Sequence, residues 1–259
     1  MDKTFVEDKE RVIQREKQKM QRHLSVGNWT VKEKVALASR ILCRHGHESG
    51  LAGQITAREA ERGFFTQRLG CGMSEVQASN LLLVDEQLRI IEGTGMPNPA
   101  NRFHAWLYRA RKDIQCIVHT HPPYTSALSM LGVPLAVSHM DSCALYENVA
   151  FLAHWPGVPV GDEEGKLISA AMGDKSGLLL AHHGMVVVGR SVEEACVLAL
   201  QFERAAQLQT IAAGAGSIRA IQPELGREAR DWLLHPARLG ATFGYYARRE
   251  LAVAPQCIT

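Results

Sequence analysis

Apolar residues recur at helical spacing in three segments of the chain, and two of these segments begin with a capping signature. Thr30 and Glu33 form a capping box, and the apolar periodicity that follows stops near Gly46. Ser191 and Glu194 form a second capping box at the start of the longest periodic segment. The predicted helices cover about residues 30–46, 102–111 and 191–213.

Short apolar runs that end at glycine, proline or charged residues predict strands. These runs cover about residues 50–58, 64–66, 81–84, 89–91, 115–119, 177–181 and 185–188. Strands therefore dominate the middle of the chain, with helices at both ends and between them. This order predicts an α/β fold, a three-layer α/β/α sandwich with a mostly antiparallel central sheet. No glycine-rich dinucleotide motif follows a strand, which disfavours a doubly wound nucleotide-binding fold.

The flanking segments differ from the periodic middle of the chain. Residues 1–29 carry many charges of both signs and few apolar side chains, which predicts a polar N-terminal arm, either solvated or lying on a neighbouring subunit. Residues 30–222 form the predicted main domain. Residues 223–259 mix polar and aromatic side chains, and we expect a C-terminal tail packed on the body or on a neighbouring subunit.

Composition and charge exclude several classes of partner. The 259 residues carry a formal net charge of +2, which gives no polycationic surface for nucleic acid. The apolar runs are far shorter than the ~20 residues that cross a bilayer, and no secretory signal is recognisable. The six scattered cysteines, without a C-x-x-C pair, predict reduced thiols and a cytoplasmic protein.

The strongest chemical signal is a pair of histidines at the end of an apolar strand. Side chains two residues apart in a strand point to the same face, so His119 and His121 can converge while Thr120 points towards the core. Two such imidazoles are suitably spaced for one metal ion. A chance H-x-H pair is the alternative.

A second pair of histidines strengthens the metal hypothesis. His182 and His183 interrupt another pair of apolar strands directly before Gly184, where a side chain can project into a cleft. Three imidazoles with an open coordination position are typical of a catalytic metal site. For the remaining histidines we expect surface or capping roles at 23, 45, 47, 154 and 235, and packing at 104.

Two stretches of the chain resemble the class II aldolase/adducin family. Residues 102–122 read RFHAWLYRARKDIQCIVHTHP, and residues 178–195 read LLLAHHGMVVVGRSVEEA. The resemblance covers roughly residues 30–215, and its motifs are more specific for the family than for a reaction. It implies a fuculose-phosphate aldolase-like α/β/α fold and a homotetramer whose active sites are completed by neighbouring subunits.

The resemblance also implies roles for individual residues. His119 and His121 match the first two metal ligands of the family, and His183 matches the third. His182 takes a place usually held by Asn, so we expect it to pack beside the ligands. Zn²⁺ is the metal that the family favours, with Fe²⁺ or Mn²⁺ as alternatives, because imidazole ligands suit several of these ions.

Departures from the family pattern affect the predicted reaction. The acid/base carboxylate of the sugar-phosphate aldolases falls at Ala100 here, and its loss would cost ~10²–10⁴ in rate. Where those aldolases bind phosphate, this chain has Gly53-Gln54-Ile55-Thr56 and Asn98-Pro99, and a proline removes an amide donor. Ala100 and the segment 55–58 are closer to the adducin-type branch, and a phosphorylated substrate is disfavoured.

The chemistry that remains is that of a metal-dependent carbon–carbon lyase of aldolase or decarboxylase type. A cation held by three neutral imidazoles would stabilise the enolate left by cleavage of a small oxygenated acid or carbonyl substrate. Tyr124, His139 and Asp141 are candidate proton donors. Two alternatives stay open, an adducin-like interaction scaffold without activity and a non-heme iron oxygenase of the same family.

Overall fold

The computed structural model describes residues 7–25 and 27–259, which contain eight α-helices and eight strands. The helices are α1 (Lys9–His23), α2 (Val31–Leu42), α3 (Asn101–Ala110), α4 (Pro123–Leu131), α5 (Asp162–Met172), α6 (Val192–Ala215), α7 (Pro223–Leu233) and α8 (Pro236–Leu251). The strands are β1 (Gln54–Glu59), β2 (Gly63–Thr66), β3 (Leu82–Val84), β4 (Ile90–Glu92), β5 (Cys116–Thr120), β6 (Val149–Leu152), β7 (Gly177–Leu180) and β8 (Met185–Gly189).

The eight strands form one sheet in the order β4-β3-β2-β1-β5-β8-β7-β6. Every neighbouring pair is antiparallel except β6 and β7, which run parallel. The central strands β5, β7 and β8 are buried along their whole length, as expected for a sheet covered on both faces. The predicted α/β/α sandwich with a mostly antiparallel sheet is confirmed.

Successive side chains of the central strands pack into two hydrophobic cores, one on each face of the sheet. Val118 faces the larger core, together with apolar residues of α2, α6 and α8. Ile117 faces the smaller core, which α3 and α5 close with residues such as Phe103 and Ile168. Because successive strand residues point to opposite faces, His119 lies on the α3 side and Thr120 on the α2 side.

The first predicted helix is confirmed with its cap, and its end turns a histidine inwards. Thr30 Oγ1 accepts from the Glu33 amide, and the Glu33 carboxylate accepts from the Thr30 amide. After α2 the chain makes a single π-type turn over residues 43–47, in which Gly46 adopts φ = 81°. Glycine takes this left-handed conformation without strain. The turn leaves His47 only 1% exposed, so the surface or capping role predicted for it is wrong.

The second capping box is only half formed. Ser191 Oγ accepts from the Glu194 amide as predicted, but the Glu194 carboxylate accepts from the Arg190 amide, one residue before the expected donor. The helix nevertheless starts at Val192 and extends to Ala215.

Within the predicted main domain, residues 30–222, three α-helices or strands have no counterpart in the sequence-based prediction. They are α4, α5 and β6. In α4, Pro123 occupies the first turn, where its missing N–H costs nothing. Two consecutive prolines interrupt the apolar periodicity at the start of α4, so the pattern does not reveal this helix. Strand β6 is only four residues long, which is too short for a clear pattern.

Helices lie near both ends of the described part of the chain. Asp8 caps α1, none of whose residues is buried. At the other end α8 contributes Leu239 and Phe243 to the larger core. Within the described part of the chain, no helix has the length and hydrophobicity needed to cross a bilayer. All six cysteines are free thiols, five of them buried.

Candidate metal centre

Strand β5 carries two of the three predicted ligands. His119 lies opposite Gln54 of β1 and Val186 of β8, which fixes its backbone on both sides. Its ring meets the edge of Phe103 from α3, with ring centroids 5.1 Å apart. His121 follows directly after the end of the strand and is only partly buried. The strand thus places His119 in the interior and His121 just beyond its end.

The turn between β7 and β8 delivers the third ligand. The Leu180 amide donates to the Gly184 carbonyl, which closes the turn, and His183 lies at its tip. Gly184 is required there, because an added Cβ would lie 2.5 Å from His121 Cδ2 and 2.6 Å from the Thr120 carbonyl oxygen. His182 adopts φ = 56° and its side chain is exposed, so it does not pack beside the ligands as expected.

The structure brings the three imidazoles to a common point. Ring centroids are 4.7 Å apart for His119 and His121, 4.8 Å for His119 and His183, and 4.7 Å for His121 and His183. One nitrogen from each ring lies within 4.8 Å of the others. Zn–N bonds of about 2.1 Å place two nitrogens of one tetrahedral shell roughly 3.4 Å apart. The cluster is therefore of the size that one cation needs.

The protonation states of the three rings fit cation binding. The His119 Nδ1–H donates to the Met185 carbonyl oxygen over 2.9 Å, which leaves Nε2 as a lone-pair donor facing His121 Nε2 at 3.0 Å. Burial lowers the pKa of all three rings, to about 4 for His183, where His121 adds to the effect. Neutral imidazoles held by a backbone carbonyl are suitable metal ligands, so the residues present fit a divalent cation.

Within the described residues, this cluster consists of three histidines and contains no carboxylate. Ala100, at the position of the expected acid/base, precedes α3 and packs against the smaller core. A cation here would keep its full double charge, because imidazole ligands contribute none.

The amide groups at the start of α3 are already used. The Ala100 amide donates to Asn98 Oδ1 over 3.0 Å. The next three amides, of residues 101–103, donate to the carbonyl oxygens of residues 98–100. A helix start binds an anion through free N–H groups. These four amides therefore offer nothing to a phosphate.

His104 has the packing role expected from its place on α3. It is fully buried, and its Nδ1 lies 2.8 Å from Thr56 Oγ1, which is also 3.0 Å from the Tyr108 hydroxyl. Burial lowers the pKa of His104 to about 3, so the ring is neutral. Thr56, a residue of the predicted phosphate segment, is thus engaged inside the protein.

The candidate proton donors lie in two different places. Tyr124 belongs to the first turn of α4 and packs against the larger core. His139 is exposed and lines a cavity of about 320 Å³ with Ser142 and Arg219 among others. The Asp141 amide donates to His139 Nδ1 over 3.3 Å, so the neutral ring carries its proton on Nε2.

Three groups near the ligands were missed by sequence reasoning. His47 Nδ1 lies 2.9 Å from the hydroxyl of Thr120, the residue between His119 and His121. The Met185 carbonyl holds His119. The Glu203 carboxylate of α6 accepts from the Tyr124 and Thr125 amides and the Thr125 hydroxyl, which caps α4 just after His121. These are long-range contacts, and no local pattern in the sequence signals them.

Comparisons with known proteins find similar sequences and similar folds. Residues 33–210 match the Class II Aldolase and Adducin N-terminal domain family. The chain is 28% identical to Decarboxylase NovR of Streptomyces niveus over 76% of its own length and 75% of the relative. It is 33% identical to Alpha-adducin of Rattus norvegicus over 65% of its length and 24% of that protein. The solved structure of an L-fuculose 1-phosphate aldolase from Glaciozyma antarctica PI12 superposes with a TM-score of 0.80 at 26% identity, covering 88% of this chain and 92% of that one.

Proposed function

This chain belongs to the class II aldolase and adducin family, and on that premise we propose that it is a metal-dependent carbon–carbon lyase. Its substrate is a small, unphosphorylated oxygenated acid, and decarboxylation is the favoured reaction. His119, His121 and His183 are the metal ligands. Zn²⁺ is the expected ion, with Fe²⁺ or Mn²⁺ as alternatives.

The convergence of three neutral imidazoles without a carboxylate is the observation that carries this proposal. A divalent cation bound there supplies Lewis acidity, which lowers the energy of negative charge that develops on a substrate oxygen during bond cleavage. Three protein ligands leave a coordination position open for substrate, which distinguishes a catalytic site from a closed structural one. An adducin-like scaffold has no need of such an arrangement.

The start of α3 supports an unphosphorylated substrate. Its four amides are bonded within the protein, and Thr56 is engaged by His104 and Tyr108. Ala100 supplies no acid/base group, which aldol cleavage needs to remove a proton. Loss of carbon dioxide from a metal-chelating acid requires no such proton removal. This difference favours a decarboxylase over a sugar-phosphate aldolase.

The carbon that loses carbon dioxide must then receive a proton. His139 and Tyr124 are the candidate donors. His139 carries an exposed Nε2–H and lines a cavity with Arg219, so it is accessible to solvent. Tyr124 begins α4 only three residues after His121. Tyr124→Phe and His139→Gln variants separate the two, because only loss of the true donor slows turnover in the metal-loaded protein.

A substrate panel tests the reaction. The protein is stripped with chelator, reloaded with Zn²⁺, Mn²⁺ or Fe²⁺, and incubated with 2-keto acids, hydroxylated aromatic acids and sugar phosphates. We expect metal-dependent release of carbon dioxide from one class of unphosphorylated acid. The His119→Ala/His121→Ala variant serves as the control, and it should keep its fold while losing both metal and turnover.

Other outcomes of the panel contradict the proposal in distinguishable ways. Cleavage of a sugar phosphate to an aldehyde would replace the decarboxylase with an aldolase. Oxygen uptake by the Fe²⁺ form would favour an iron oxygenase. Full metal occupancy without turnover on any class would favour the adducin-like scaffold, and a chain that binds no metal would remove the proposal altogether.

A homotetramer in the cytoplasm completes the proposal. Exposed apolar side chains lie on α4 and α6, which pack against each other; Met130 and Leu131 are 71% and 66% exposed, and Ile211 is 59% exposed. Large apolar side chains grouped on a surface are typical of a subunit interface. The free thiols support a reducing compartment. Light scattering on wild type and on Ile211→Lys checks the assembly, which should be tetrameric only in the former.

A further inference from the structure

We propose that His47 is a positioning residue for the metal centre, acting through the hydroxyl of Thr120 from the opposite face of the sheet. The inference rests on the proposed metal site, but it concerns residues that are not among the three proposed ligands. His47 Nδ1 and Thr120 Oγ1 lie 2.9 Å apart, and both side chains are buried, at 1% and 0% exposure.

Thr120 is the hinge between two ligands. His119 precedes it inside the sheet, and His121 follows it outside the sheet. The direction in which His121 leaves the strand is therefore set by the backbone of Thr120. Gly184, the residue after His183, leaves no room for a Cβ beside the Thr120 carbonyl oxygen and His121. A rotation of Thr120 would therefore change the position of His121 relative to His183.

The strand loses lateral support at this residue. On one side, the pairing of β5 with β1 ends at the pair formed by His119 and Gln54. On the other side, the pairing with β8 continues to Met185. Thr120 is therefore held by one neighbouring strand only. The hydrogen bond from its side chain to His47 supplies a second anchor, on the face that the ligands do not use.

His47 is itself held firmly. It closes the π-type turn after α2, where Gly46 supplies the left-handed conformation. Arg44 of the same turn forms an ion pair with Glu250 of α8, with Nε and Oε2 2.7 Å apart. Glu250 is only 3% exposed, so this contact ties the turn to the core of the domain. A fixed imidazole can orient a hydroxyl, whereas a mobile one cannot.

A packing role alone would not need the polar pair. Valine has nearly the shape of threonine, and a buried hydroxyl is costly unless it is bonded. Partners that orient metal ligands typically change metal affinity 10–100-fold when they are removed. We therefore expect the pair to act on affinity, through the angle at which His121 meets the ion.

Cobalt binding measures this effect directly. Co²⁺ is titrated into chelator-stripped protein, and its visible absorption reports both affinity and coordination geometry. Thr120→Val, which keeps the shape and loses the hydroxyl, should weaken Co²⁺ binding about tenfold. Thr120→Ser, which keeps the hydroxyl, should bind like wild type. His47→Ala should match Thr120→Val, and His47→Asn, which retains a polar atom near Nδ1, should restore binding in part.

A remote variant controls for general destabilisation. Leu82 is fully buried in β3, three strands from β5, so Leu82→Ala lowers stability without touching the site. It should leave Co²⁺ affinity and spectrum unchanged. The double variant His47→Ala/Thr120→Val should bind no more weakly than either single variant, because both remove the same hydrogen bond. Should His47→Ala fail to fold, the comparison of Thr120→Val with Thr120→Ser decides alone.

The outcomes separate this inference from the proposed function. Wild-type affinity and spectrum in Thr120→Val would overturn the positioning role of His47 while leaving the metal site intact. Absence of Co²⁺ binding in the wild type would overturn both. Weakened binding in Thr120→Val together with no turnover by the wild type would support the positioning role and contradict the lyase.

Discussion

The ligand cluster, formed by His119, His121 and His183, and the start of α3 lie on the same face of one sheet. The two regions differ in which polar atoms remain available to bind an ion. At the ligand cluster, three imidazoles of lowered pKa converge, with His119 Nε2 and His121 Nε2 3.0 Å apart. At the start of α3, every amide from Ala100 to residue 103 is bonded, and no carboxylate is present at position 100. The first region is prepared for a cation, and the second is closed to an anion.

This difference shows that the two halves of the site are supported by separate elements. The ligands depend on β5 and on the turn between β7 and β8. The closed region depends on Asn98 and on the first turn of α3. A change in one half can therefore leave the other intact. Such independence would let the three-histidine cluster persist in this fold while the start of α3 changes.

The largest effect is expected from metal removal. A ligand that binds only the folded state stabilises it by about 4 kcal/mol at a free concentration 1,000 times its Kd. Adding excess Zn²⁺ to the stripped protein should raise the free energy of unfolding by this amount, measured by urea titration. His119→Ala/His121→Ala is the control and should show no response. A wild type that responds no more than this variant would contradict the metal site.

A second variant tests the support behind the ligand cluster. The Glu203 carboxylate accepts three hydrogen bonds at the start of α4. Glu203→Leu should therefore cost about 2–3 kcal/mol of stability, because it leaves three partly buried donors without their acceptor. Glu203→Gln keeps one acceptor oxygen and should cost less. Urea unfolding measures the stability of both variants. Equal stability of Glu203→Leu and the wild type would show that the cap contributes nothing to the free energy of unfolding.

The sequence allows the ligand strand to be predicted because its signals are local. Alternation along β5 indicates that His119 and His121 share a direction, and Gly184 marks the turn that carries His183. His47 has no such signal. Its burial depends on a left-handed turn at Gly46 and on contact with a strand more than seventy residues away. Likewise, the apolar content of α5 and β6 is too short or too mixed for periodicity to reveal them.

The third prediction concerns how the free energy of unfolding depends on pH through His104 of α3. Burial lowers the pKa of His104 to about 3 from an ordinary value of 6.5. Between these values the unfolded chain binds a proton that the folded chain does not, so stability is present above pH 6.5 and is lost as the pH falls. His104 alone should remove about 2 kcal/mol between pH 8 and pH 5.

His104→Asn supplies the matched measurement for this pH dependence. Asn keeps a polar atom near the position of Nδ1 but cannot ionise, so the fall in stability between pH 8 and pH 5 should shrink by the contribution of His104. Urea midpoints at several pH values, taken with saturating Zn²⁺, measure the difference while the ligand histidines remain engaged. An unchanged pH slope in the variant would mean that the pKa of His104 is the same in the folded and the unfolded protein, which contradicts the effect of burial.

The smallest effect tests directly whether the two halves are independent. Asn98 Oδ1 accepts the Ala100 amide, so Asn98→Ala should cost about 1 kcal/mol and free one donor at the start of α3. Asn98→Asp keeps the acceptor and is the matched control. Neither variant should alter Zn²⁺ affinity, because the ligands are held by β5 and the turn after β7. A shift of Zn²⁺ affinity in Asn98→Ala, with none in Asn98→Asp, would mean that the start of α3 also positions the ligands.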